Sequence, residues 1–174
     1  MLLASALAFT LTTARVEPIQ VLIRAKVYTL APKQSLEISG TSNAATRVAV
    51  EDAKKADETV EKVCSEGAKL LTSPIVRTLV DNKAEITFEK EVDHKQVTTK
   101  LSILPKVAGD AGPNPSAFRV IVGWDSGDAA TVKESKPDPK KQISFFVGPN
   151  SKAEILLTLN GVRCLVVLSA IKPD

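Results

Sequence analysis

Asn160-Gly161 stands between two apolar-rich runs, AEILLTL at 153–159 and VRCLVVLSAI at 162–171. No other feature constrains the fold of this chain as strongly. A two-residue connection between strands needs left-handed backbone, which Asn and Gly supply at little steric cost. The segment therefore reads as a β-hairpin, and a hairpin this apolar needs further strands to cover it.

The same two-residue period recurs upstream. In IQVLIRAKVYTL, at 19–30, Val21, Ile23, Ala25 and Val27 fall on one side, the pattern of a half-buried strand. Pro18 and Ala31-Pro32 bound it, because proline cannot continue a central ladder. Residues 35–39 read as a shorter strand, ended by GTSN at 40–43. Residues 97–107 and 118–124 read as antiparallel neighbours across the loop GDAGPNP, at 109–115. Residues 143–147 make a short strand that Gly148-Pro149-Asn150 turns back. Residues 125–141 are polar, carry Pro137 and Pro139, and read as an exposed loop.

One stretch changes period. In DETVEKVCSE, at 57–66, Val60, Val63 and Cys64 share a helical face that Ala53 and Ala56 extend backwards. Asp57 reads as the N-cap, with a start nearer Glu51 also open, and Gly67 sits where a helix end favours left-handed backbone. Glu58 and Lys62 are spaced to pair. Then comes LLTSPIVRTLVDNKAEITFE, at 70–89. Asp81-Asn82-Lys83 is turn chemistry, since Asp and Asn tolerate left-handed backbone and bond their own main chain. Ala84, Ile86 and Phe88 alternate with Glu85, Thr87 and Glu89, so the stretch reads as a second hairpin. The predicted class is mainly β with one α-helix, in antiparallel sheets whose edges either close on themselves or continue into neighbouring subunits.

Aromatic residues make up only 4% of the 174 residues, so the core must rest on Val, Leu, Ile and Ala. The net charge is +3, with one lysine cluster at 133–141 and no basic stripe interleaved with aromatics. Nucleic acid is therefore not the expected partner. The cluster reads as a solvated loop rather than a lipid contact. The opening MLLASALAFTLTTA is uncharged and has the length of a signal-peptide hydrophobic region, with small residues at Thr12-Thr13-Ala14. Residues 1–14 are taken as a signal peptide and 15–174 as one β-rich domain. A buried first element and a start inside a longer protein are the alternatives.

Residues able to do chemistry are sparse. His94 is the only histidine and lies in the charged segment EKEVDHKQ, where it reads as a solvated turn residue. No nucleophile elbow, phosphate loop, dinucleotide fingerprint or zinc-protease motif appears. No catalytic residue and no cofactor or metal is expected. Asp125 and Asp128, in GWDSGD, lack the further spaced oxygens of a calcium loop and read as a turn after a strand. Glu89, Glu91 and Asp93 read as the wet face of a strand. Cys64 and Cys164 form no CxxC pair, so zinc is not expected. An exported chain pairs them where the fold brings them together. The preferred reading makes both small buried hydrophobes.

The order of these elements resembles the secretin homology domain of bacterial secretins, the outer-membrane pores of type II and type III secretion and of type IV pilus systems. The resemblance covers residues 18 onward. Val21, Leu22, Ile23, Ala25 and Val27 match the strand before that family's helix. Leu71, Ser73, Pro74, Val76 and Thr78 match its "Leu-x-Ser-Pro-x-Val-x-Thr" motif, and Asp81, Asn82, Ala84 and Ile86 its turn and "Ala-x-Ile" strand. Leu101, Ile103, Pro105 and Val107 look like its proline-bearing strand, and 165–171 like its closing strand. After Phe88 the chain departs from the pattern, with Glu89, Lys90, Glu91 and Val92 where the family has a Gly and later a Pro-Tyr pair. AEILLTLNGV likewise lacks its Gly-Gly-Leu.

The resemblance is therefore to a reduced or truncated secretin. It implies a non-enzymatic envelope protein, in the periplasm or outer membrane, that forms homo-oligomers by inter-subunit β-pairing. It also implies other secretion or pilus machinery as partners and association with the outer membrane. Ser73, Pro74, Val76, Thr78, Asn82, Ala84, Ile86 and Pro105 would be its structural motif residues. The alternative is an exported, monomeric β-sandwich that binds a partner or serves structurally without forming a pore.

Overall fold

The computed structural model describes residues 18–38, 40–43, 46–92, 95–108, 117–134, 138–159 and 161–173. The expected signal peptide, the GDAGPNP loop, Asp93, His94 and Asn160 lie outside them. The chain is mainly β and every strand pairing is antiparallel. The elements are β1 (Gln20–Thr29), β2 (Thr41–Asn43), β3 (Thr46–Asp52), α1 (Ala53–Ser65), β4 (Lys69–Thr72), β5 (Ile75–Leu79), β6 (Ala84–Val92), β7 (Lys95–Val107), β8 (Phe118–Gly127), α2 (Ala129–Glu134), β9 (Gln142–Val147), β10 (Ser151–Leu159) and β11 (Val162–Ile171). A 3-10 turn, Pro139–Lys141, precedes β9.

The strands form a 7-stranded sheet, β2-β3-β10-β11-β1 with β4 and β5 both on the far side of β1, and a 4-stranded sheet, β6-β7-β8-β9. The sheets share one core. Val21, Ile23, Ala25 and Val27 of β1 and Ile155 and Leu157 of β10 meet Leu101, Ile103, Val120 and Val122 of the smaller sheet. The other face of the larger sheet holds a second cluster, in which Tyr28, Ala49, Leu165 and Val167 pack under Val63 of α1 and beside Leu36 and Ile38. The layers are therefore helix, sheet, sheet. Because the larger sheet is covered on both sides, β11 is buried through most of its length and loses its alternation, as strands buried on both faces do. Among the described residues no helix is long and apolar enough to cross a membrane.

The predicted C-terminal hairpin is present. Leu159 pairs with Val162 across the connection, and Gly161 has φ +76°. The β1 pattern is also present, with all four predicted inward residues buried. Residues 97–107 and 118–124 are antiparallel neighbours, in strands that extend further than expected: Thr98 pairs with Gly127 and Leu101 with Trp124.

The structure corrects several of the strand and loop expectations. The stretch 70–89 is not a hairpin, because β5 pairs with β1 whereas β6 pairs with β7 in the other sheet. Asp81-Asn82-Lys83 is a turn, with Asp81 at φ 63°, but it carries the chain between sheets. Residues 35–38 form no strand. The Arg163 guanidinium donates to the carbonyls of Gln34 at 2.7 Å and Leu36 at 3.4 Å, taking acceptors a ladder would need. The strand lies instead at Thr41–Asn43, in the expected turn, and Gly40 enters it so close to β3 that a Cβ would run into the Val48 carbonyl. Residues 125–141 hold the end of β8, α2 and the 3-10 turn rather than only a loop, and Val132 of α2 is buried.

The helix begins at Ala53, capped by Asp52, whose Oδ1 accepts from the Lys54 N–H at 2.9 Å. Asp57 is already inside and pairs with Lys152 at 2.6 Å. Glu58 faces Lys54 at 4.0 Å. The C-terminal reading holds: Gly67 has φ +101°, with Ala68 N–H bonded to the Val63 carbonyl at 2.9 Å and Gly67 N–H to that of Cys64 at 3.1 Å. Cys164 is buried as expected, but Cys64 is exposed, and both are free thiols.

Candidate functional site

The motif residues picked out in the sequence run along β5 and into β6, with Pro105 on β7, as the chain passes from the larger sheet to the smaller. Ser73 and Pro74 interrupt the edge of the larger sheet, between β4 and β5. The Pro74 carbonyl accepts from the Ala25 N–H at 3.1 Å, so the proline stays docked on β1 while its missing N–H removes no ladder bond inside the sheet. Val76 pairs with Ile23 and packs, half-buried, against the shared core. Thr78 pairs with Val21, and its hydroxyl donates to the Asn82 carbonyl at 3.2 Å. The Asn82 N–H returns to Leu79 O at 3.1 Å. Ala84 and Ile86 then enter the core opposite Ile103 and Leu101.

Pro105 meets this crossing from β7. Its carbonyl accepts from the Asp81 N–H at 2.9 Å. A strand residue's N–H and C=O point to the same side, so the missing donor of Pro105 faces the turn that leads into β6, not β8. Lys106 follows it and pairs with Asp81 at 3.6 Å. Thr78, Asn82 and Pro105 thus lie at the crossing between the sheets, with Ala84 and Ile86 just beyond it, while Ser73 and Pro74 lie at the far end of β5, within the edge of the larger sheet.

The other carboxylates are accounted for structurally. Asp128 caps α2, accepting from the Thr131 N–H at 2.9 Å and hydroxyl at 2.7 Å, and these bonds hold its carboxyl below the usual range. Asp125 pairs with Lys141 at 3.0 Å. Glu85, Glu89 and Glu91 stand exposed on the outer face of β6, the wet face expected of them. Among the described residues no cluster of three or more ligating side chains is placed to hold a metal.

One site was not anticipated. Glu154, on β10, faces the helix layer between Ala49 of β3 and Val167 of β11. It is 3% exposed, and its Oε1 has no hydrogen-bond partner. Burial pushes its carboxyl above the usual range and the charge of Glu51 pushes it further, while the nearby Thr59 hydroxyl eases it back. It lines an open groove between α1 and residues 36–38, together with Glu37, Glu51 and Glu58. The only sequence signal was an acid among the apolar residues of AEILLTL, where alternation assigns it a face but not its depth.

No family model, curated protein or solved structure matches this chain.

Proposed function

We propose that this protein is a non-enzymatic, secretin-like component of the bacterial cell envelope that assembles into homo-oligomers by pairing strand edges between subunits, as part of a secretion or pilus-type outer-membrane pore. The ordered motif set supports this reading, and the exposed edge beside β1 carries it. There Leu70 of β4 is 54% exposed and Ile75 of β5 is 64% exposed, on strands whose outer edges pair with no strand among the described residues. Apolar side chains on an open edge invite another strand. Phe146, 59% exposed on the edge strand β9, offers a second such place at the opposite end of the smaller sheet. Two different edges on one chain are what a head-to-tail ring requires.

A second reading, an exported monomeric β-sandwich with a binding or structural role, draws on how the edges are guarded. Pro74 breaks the β4–β5 edge, β2 is only 3 residues long, and β6 carries Glu85, Glu89 and Glu91. Short, charged and proline-interrupted edges resist pairing.

Light scattering on the chain from Arg15 onward, with membrane fractionation of the full-length form, separates the two. A large heat-resistant oligomer in the outer-membrane fraction, reduced in size by Ile75→Lys, is expected. A strict monomer in detergent extracts sinks the pore reading and leaves the sandwich.

A further inference from the structure

The groove over Glu154 goes beyond the assembly reading and does not depend on it. Four carboxylates line it, those of Glu37, Glu51, Glu58 and Glu154, against the ammonium groups of Lys55 and Lys62. Lys55 is engaged with Glu51 at 3.7 Å. Glu154 differs from the others in depth. A buried carboxylate with one oxygen left unpaired, here Oε1, is costly, and such an atom calls for a partner.

The donor set selects the kind of cation. Calcium takes six to eight oxygens and magnesium a near-ideal octahedron. Among the described residues no three ligating side chains converge to build such a shell. An ammonium or guanidinium asks for less, since one deep carboxylate and a few outer acids suffice for its head group. Its aliphatic stem needs apolar walls, and Leu36 and Ile38 line the groove beside the acids.

We propose that this groove binds an organic cation, an ammonium or guanidinium on an aliphatic stem, with Glu154 as the buried anchor. Such a group reaches the protein either as a lysine or arginine side chain of a polypeptide or as a free polyamine.

The test is a nuclear magnetic resonance titration of the 15N-labelled protein. The probes are acetyl-Gly-Arg-Gly-amide, its neutral Gln counterpart, and spermidine. Saturable shifts centred on the amides of Thr59, Glu51 and Glu154 are expected with the arginine peptide or spermidine and not with the Gln peptide. Tighter binding of the peptide assigns a polypeptide source, and tighter binding of spermidine a polyamine. Glu154→Gln keeps the side-chain volume and should weaken binding by at least about ten-fold, since it removes the buried charge of the pair. Glu51→Gln, nearer the surface, should weaken it less, and it serves if the first variant does not fold. Equal shifts with the Gln peptide, unchanged affinity in the folded variants, or no shift with any cationic probe up to about 10 mM, an affinity under ~3 kcal/mol, overturns the proposal.

Discussion

The Asp81 backbone N–H donates to the Pro105 carbonyl at 2.9 Å, with Asp81 itself in left-handed backbone at φ 63°. The bond fixes the crossing between sheets at the point where β6 has not yet begun and β7 would otherwise present an unpaired carbonyl. It also gives Pro105 a place inside a long strand without breaking a ladder.

The left-handed conformation makes Asp81 sensitive to shape rather than charge. Asp81→Val should destabilise the protein by about 1–2 kcal/mol, because a β-branched residue resists that backbone. Asp81→Gly should be close to neutral. Lys106→Ala, which removes only the exposed ion pair, should cost less than about 1 kcal/mol. Urea unfolding of the three variants checks the order. A Gly variant as unstable as the Val variant would show that the side chain, not the backbone, holds the turn.

The start of α1 distinguishes two aspartates that look alike in sequence. Asp52→Ala removes the cap on the Lys54 N–H and should cost about 1 kcal/mol. Asp57→Ala loses an ion pair on a half-exposed surface and should cost less, with an effect that fades in high salt. Thermal melts in low and high salt separate them, and a salt-independent loss at Asp57 would contradict the assignment.

These elements also show where sequence reasoning stops. The strands read correctly are those with one dominant signal: Asn-Gly between β10 and β11, and strict alternation in β1. The 70–89 stretch had alternation and turn residues, yet neither says which sheet a strand joins. A turn that crosses between sheets has the same local chemistry as one that closes a hairpin. β3 escaped notice because Val48 and Ala49 are buried on opposite faces of the larger sheet, which erases its alternation. Residues 35–38 carry an alternating pattern, but a distant guanidinium, that of Arg163, holds the carbonyls of Gln34, just before them, and of Leu36. The turn at 81–83 was legible from its residues. Glu154 was not, because the depth of the groove over it is set by α1 and residues 36–38, far away in sequence.

Glu154 makes stability depend on pH in a direction opposite to that of most carboxylates. Its folded-state affinity for a proton is raised by burial and by Glu51. Between the ordinary carboxylate range and the raised value, the native state therefore holds a proton that the unfolded chain has released. Stability falls as pH rises through that window and levels off above it. Glu154→Gln should remove this slope and raise the melting temperature at neutral pH. The difference between variant and parent, followed from pH 4 upward, isolates the effect from Glu85, which Lys83 holds low and which contributes the opposite sign. A variant that parallels the parent at every pH would show that the buried carboxyl does not set the slope.

The two thiols should behave as differently as their surroundings. Cys164 is 2% exposed on β11, and burial pushes its thiol up to about 11, against a small opposing pull from Lys90. Thiolate is the reactive form, so Cys164 should be inert in the folded protein at pH 8. Cys64 lies exposed near the end of α1 and should react freely. An aromatic disulfide reagent should therefore titrate one thiol quickly and the second only as fast as the sheet opens, and both at once in urea. Cys64→Ser should abolish the fast phase alone. Two equal fast phases in native buffer would mean that β11 is not buried between the layers, and the three-layer arrangement itself would have to be redrawn.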